Sequence, residues 1–111
     1  MREYLKSKIH HAVVTGADVN YIGSITIDSA LMKKAGLEEN EKVHVWNLAN
    51  GERIETYVIP GERGEVVLNG AAARKFRKGD LAIIVSFEMT GAPPKPKIVL
   101  VNGKNEFVKY L

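Results

Sequence analysis

Hydrophobic and polar positions alternate along much of this 111-residue chain, and the alternation predicts a mainly β protein. Residues 42–48 (KVHVWNL) put Val43, Val45 and Asn47 on one side and His44, Trp46 and Leu48 on the other. A second alternating run, 52–59 (ERIETYVI), follows Asn50–Gly51. Asn-Gly between two such runs predicts a hairpin, because both residues tolerate the positive φ of a tight turn. Residues 8–21 (KIHHAVVTGADVNY) read as a strand that Gly16 and Asp18 break into a turn. Further strands are predicted at 24–27 (SITI), 65–69 (EVVLN), 81–88 (LAIIVSFE), and in KIVLV and EFVKYL around Asn102–Gly103. Asp28 can cap a short helix, 29–36 (SALMKKAG), with Leu31, Met32 and Ala35 as its buried stripe and Gly36 as its stop. NGAAARKF (69–76) reads as a cap and a second short helix. GAPPKPK (91–97) is a loop, since its prolines cannot pair in a sheet. Six or seven strands with two short helices predict a small closed β-barrel forming a single domain over 1–111.

Composition narrows the function classes. Apolar residues at 45 % and charged residues at 26 % are ordinary for a globular chain and exclude wholesale disorder. The net charge is only +3, and the basic residues are scattered; their densest stretch, Arg74, Lys75, Arg77 and Lys78, reads as a solvated helix end. Nucleic acid is therefore not an expected partner. The longest apolar run, LAIIV at 81–85, is too short to span a bilayer, so no membrane is expected. The N-terminus lacks an apolar core of signal-peptide length, which predicts a cytoplasmic protein. With no Cys there is no thiolate ligand, disulfide or thiol nucleophile, and oligomer formation is a reasonable way for so small a domain to add core.

Common cofactor motifs are absent: there is no GxGxxG, GxxxxGK[ST], HExxH or GxSxG. His10 and His11 are adjacent in a predicted strand and should face opposite ways, so no metal site is expected from them. Gly23–Ser24 carries more information. Ser24 Oγ lies where it can attack the carbonyl of Gly23 through a five-membered ring, and Gly23 leaves that carbonyl unshielded. Such an acyl shift develops an oxyanion that needs fixed donors.

TGADVNYIGSITID (15–28) resembles the self-cleavage segment of the pyruvoyl-dependent aspartate 1-decarboxylases. Matching elements follow in order: KIH (8–10), WNLANGERIETY (46–57), ERG (62–64), NGAAA (69–73), GD (79–80) and IIVSF (83–87). The resemblance covers about residues 1–88; the tail is only loosely similar. It implies a small six-stranded double-psi β-barrel, a homotetramer, and conversion of L-aspartate to β-alanine and CO2 for pantothenate synthesis. It implies cleavage into a β-chain, 1–23, and an α-chain, 24–111, with Ser24 becoming the pyruvoyl group that takes substrate as a Schiff base. By the same resemblance Tyr57 is the proton donor, Thr56 serves processing and substrate binding, and Asn69 is the oxyanion donor. Arg53 and Lys8 would bind the two substrate carboxylates, Arg53 taking the side-chain one, with Gly70, Ala71 and Ala72 also at the substrate. His10 and Trp46 align near the site, Trp46 as packing or a pocket wall. No accessory maturation partner is assigned.

The residues by themselves leave ordinary alternatives. Arg53 beside a hairpin turn could be a plain exposed side chain, and Asn69 could simply cap the helix of 70–76. Thr56 and Tyr57, adjacent in a strand, face opposite ways. Both can act only if Ser24 lies near the edge of their strand, or if one of them works across a subunit interface. The rival function is a small basic β-barrel binding module for nucleic acid or a protein partner.

Overall fold

The computed structural model describes residues 1–111. It contains β1 (Arg2–Val13), β2 (Gly16–Asp18), β3 (Ile25–Asp28), α1 (Ser29–Ala35), β4 (Lys42–Asn47) and β5 (Arg53–Gly61). β6 (Val66–Asn69), a 3-10 helix (Gly70–Lys75), β7 (Leu81–Thr90), β8 (Lys97–Val101) and β9 (Phe107–Tyr110) complete it.

Local chemistry explains the short elements. Asp28 Oδ1 accepts from the backbone N–H of Ala30 at 2.8 Å and of Leu31 at 3.4 Å, satisfying two donors that a helix start leaves orphaned. Leu31, Met32 and Ala35 are buried, and Gly36 ends α1 with φ +70°. The Asn50–Gly51 turn sets β4 against β5 in antiparallel register, Trp46 opposite Arg53, His44 opposite Glu55 and Lys42 opposite Tyr57. Alternation then sorts the faces: Val43, Val45 and Asn47 are buried, as their spacing predicts. A core of 19 apolar residues fills the interior, with Ile9, Ile25, Ile27, Leu68 and Ile84 among its largest members.

The strands differ from the six-stranded closed barrel expected from sequence. Nine are present, in the hydrogen-bonded order β2-β6-β3-β5-β4-β7-β1-β8-β9, which does not close on itself. Three causes account for the difference. β1 begins at Arg2 rather than Lys8, because residues 2–5 pair with residues 87–90 of β7. Gly16–Asp18 read as a turn, yet these residues form a strand parallel to β6. β8 and β9 are the strands expected in KIVLV and EFVKYL, but they extend one edge of the sheet, β8 running parallel to β1, instead of closing a barrel.

A second difference concerns the histidines. β1 carries a register shift between Ile9 and Ala12, and His11 has φ +64°. The irregularity breaks the strict alternation of side chains, so the rings of His10 and His11 stack with centroids 3.8 Å apart instead of facing opposite ways. Burial, then the neighbouring His11 and Lys8 charges, hold the His10 pKa below its ordinary value.

Candidate active site

Ser24 is 2 % exposed and stands immediately before β3, between β5 on one side and β6 on the other. β3 runs parallel to β5 with Ile25 opposite Val58, so the Gly23–Ser24 peptide lies beside Tyr57. On the other side the Asn69 backbone N–H donates to the Ser24 carbonyl at 3.0 Å. This part of the backbone is strained. Ser24 has φ +87°, in the region that L side chains avoid, whereas Gly23 takes φ +31° without that cost because it has no Cβ.

Close approach accompanies the strain. A Cβ built on Gly70, itself at φ +63°, would lie 2.9 Å from both Cα and N of Gly23. Residue 70 must therefore be glycine for its backbone to press on the Gly23–Ser24 peptide. A Cβ on Gly23 would meet Tyr57 Oη at 3.4 Å, so the phenol hydroxyl overlies that peptide.

Asn69 decides between its two possible tasks. It stands at the N-cap position of the 3-10 helix but makes no side-chain capping bond. Its Nδ2 instead donates to Ser24 Oγ at 3.1 Å and to Thr26 Oγ1 at 3.0 Å. Both amide hydrogens are thus engaged. The side chain holds the serine hydroxyl rather than the Gly23 carbonyl.

An open groove of about 1060 Å³ runs from this peptide along the outer face of β4 and β5. Gly23, Ser24, Thr56, Tyr57 and Asn69 line it together. Thr56 and Tyr57 therefore share one pocket despite their opposite directions, because Ser24 sits at the end of β3 where both can be reached. Arg53, Trp46, Ala71 and Ala72 line the same groove. The Arg53 guanidinium lies 4.3 Å from the centre of the Trp46 ring.

Lys8, His10 and Gly70 are not on its wall. Lys8 pairs with Val85, which pairs in turn with His44, so it shares the outer sheet face at two strand spacings, roughly 10 Å, from the groove.

Other lining residues were not singled out from sequence: Glu3, His44, Glu55, Lys75 and Phe87. The hairpin register contains the signal for two of them, since His44 and Glu55 form the cross-strand pair between Trp46–Arg53 and Lys42–Tyr57. Lys75 belongs to the stretch read as a solvated helix end; it is half exposed and pairs with Glu52 at 3.3 Å. Glu3 and Phe87 are brought in by the long β1–β7 pairing.

A sequence profile of the aspartate decarboxylase family matches residues 1–108. The chain belongs to the aspartate decarboxylase family. It is 62 % identical over 111 residues to an aspartate 1-decarboxylase of Christiangramia forsetii, covering 95 % of this chain and 96 % of that one. It is 57 % identical to an aspartate 1-decarboxylase of Campylobacter hominis, covering 92 % and 93 %, and 53 % identical to one of Thermotoga sp., covering 96 % and 95 %. In this family member no helix is long and apolar enough to cross a membrane.

Proposed function

We infer that this protein is an aspartate 1-decarboxylase that makes its own prosthetic group. It converts L-aspartate to β-alanine and CO2 as a step toward pantothenate, and works in the cytoplasm. The observation that carries the reading is the buried, positive-φ Ser24 with its hydroxyl held by Asn69 and its neighbouring peptide pressed between Gly70 and Tyr57.

Maturation uses the chain's own atoms. Ser24 Oγ attacks the Gly23 carbonyl carbon, and the acyl group passes from nitrogen to oxygen. The resulting ester eliminates: the Cα proton of residue 24 leaves, the Cβ–O bond breaks, and Gly23 departs as a carboxylate ending the 1–23 chain. Water then adds to residue 24 and ammonia is lost, leaving a pyruvoyl group at the head of the 24–111 chain. The Asn69 amide occupies one lone pair of Oγ and orients the hydroxyl. Thr56, on the wall beside the peptide, supplies a second hydroxyl for processing. Cleavage happens once per chain, and a half-time near an hour needs a barrier of roughly 22 kcal/mol. Strain at Ser24 and one or two positioned donors are enough for a barrier of that size, with no dedicated general base.

The residues around position 24 fit a pyruvoyl group: it replaces a small side chain that is already buried at the inner end of an open groove. Once formed, its conjugated carbonyl supplies the electron sink that lets a carboxylate depart as CO2. The protein does the rest. Arg53 makes none of the chain's ion pairs, so its fork is open to the substrate's side-chain carboxylate. Tyr57 Oη, over the Gly23 end of the Gly23–Ser24 peptide, is the donor that returns a proton to the substrate carbon. Ala71 and Ala72 give the wall low bulk. The α-carboxylate is best held loosely, since fixing its charge would stabilise the ground state more than the transition state. Lys8 and His10, off the groove of their own protomer, serve a neighbouring copy's site in a homotetramer.

The test is an intact mass of the purified chain with an assay for aspartate-dependent CO2. The parent should split at 23–24 and release CO2, and Ser24→Ala should stay full length and inactive. A parent that remains one chain and releases no CO2 after prolonged warming overturns the reading. Cleavage of Ser24→Ala at the same bond would implicate an outside protease.

A further inference from the structure

Arg53 is exposed at the groove and flanked in sequence by two carboxylates, Glu52 and Glu55. A free arginine beside two carboxylates would ordinarily pair with one of them. Here each is engaged elsewhere. Glu52 pairs with Lys75 at 3.3 Å, and Glu55 lies 3.6 Å from Lys42 and 3.7 Å from His44. What Arg53 touches instead is the face of Trp46, its direct cross-strand partner, at 4.3 Å. A stack on an aromatic face restrains the guanidinium plane while leaving its N–H edge unused. Trp46 is itself only half buried, in a strand whose alternate residues form the core.

We propose that Trp46 is a positioning residue: its ring fixes the plane of Arg53 so that the N–H edge presents a ready fork to a substrate carboxylate. The inference rests on the decarboxylase reading for the identity of that carboxylate. It explains why the groove's free arginine needs no carboxylate of its own to hold it. Lost orientation should appear in substrate binding, because Ser24, Asn69 and Gly70 lie on other elements and do not depend on the stack.

Two measurements test this. In the processed enzyme, Trp46→Leu should raise KM for aspartate about tenfold, with kcat within about threefold and self-cleavage complete. Trp46→Phe keeps a ring face and should hold KM within about threefold of the parent. A Trp46→Leu enzyme with an unchanged KM overturns the proposal, as does a parallel loss of kcat, cleavage and KM, which would mark a purely structural role.

The second measurement needs no turnover. Trp46 is the only tryptophan, so its fluorescence reads the stack directly. Arg53→Met should shift the emission of the resting protein. Succinate, a dicarboxylate without the reacting amine, should change the parent's emission saturably and leave Arg53→Met unmoved. Identical emission in parent and Arg53→Met would remove the stack and the proposal with it, even if Trp46→Leu failed to fold. A parent that neither cleaves nor releases CO2 would instead sink the decarboxylase reading, and the emission result would still judge Trp46.

Discussion

Two residues stand at equivalent places in this chain, Asp28 before α1 and Asn69 before the 3-10 helix, and they behave differently. Asp28 does what its type and position predict. One oxygen accepts from Ala30 and Leu31, and the other accepts from the Gly64 N–H at 2.8 Å. Asn69 leaves its helix uncapped and turns its amide to Ser24 and Thr26. The first residue serves local stability. The second gives up a capping bond to hold a strained serine, the kind of local-rule violation expected at a functional site.

The comparison is broken or sharpened most strongly by Asn69→Ala. Losing the donor that orients Ser24 Oγ should slow self-cleavage by about a hundredfold, the cost of misplacing a reacting atom by about 1 Å. The measure is the intact-chain fraction against time. Cleavage at the parent rate, with only a loss of thermal stability, would make Asn69 a second Asp28.

Gly70→Ala follows. The new methyl meets Gly23 backbone at 2.9 Å, and residue 70 must hold φ +63° with a Cβ. An L-residue there costs about 1–2 kcal/mol before any displacement, so cleavage should slow by about tenfold as Gly23 is pushed aside. Parent-like processing would show that the tight packing is incidental.

Asp28→Ala should do the reverse. Loss of the cap should lower stability by about 1–2 kcal/mol in a denaturant titration, with the rate of chain splitting unchanged. A slowed cleavage would join the two helix starts into one functional unit.

The smallest effect is in pH. Asp80 is a second carboxylate of the Asp28 kind: the Asn47 amide at 2.9 Å and then the Arg77 N–H at 2.8 Å hold its pKa below the ordinary carboxylate range. A depressed carboxylate adds stability above its unfolded pKa that is lost as pH falls through the folded one. His10, also depressed, resists protonation in the fold, so stability is full above about 6.5 and declines below it. Melting temperature should therefore fall slightly as pH drops below about 6.5, a step that His10→Asn removes, and again below about 4. A Tm that rises on acidification would contradict both signs.

Much of this was legible from one dimension. The Asn50–Gly51 signal, with its alternation on either side, gives a hairpin and puts Trp46 on the outer face, but not the pairing: a two-residue Asn50–Gly51 turn would set Trp46 opposite Glu55, whereas the longer loop found sets it opposite Arg53. The motifs from Lys8 to Phe87 gave the family, which the match over residues 1–108 bears out. The strand count and the open ladder were not legible. Gly16–Asp18 have turn-like composition, and only the β6 edge beside them makes them a strand. Nor was the stacking of His10 on His11, which depends on an irregularity set by the partner strands.

The chain alone determined α1 with its aspartate cap and glycine stop, the presence of the β4–β5 hairpin and the alternating core faces. These depend on residues a few positions apart, where backbone sterics and side-chain periodicity act directly. Only the tertiary structure decided that Asn69 would reach Ser24, 45 positions away, rather than cap its own helix. It also brought Glu3 and Phe87, through the β1–β7 pairing, to the same groove as Arg53 and Tyr57. Such choices compare a local hydrogen bond with a distant one, and the distant partner exists only after β3, β5 and β6 have paired.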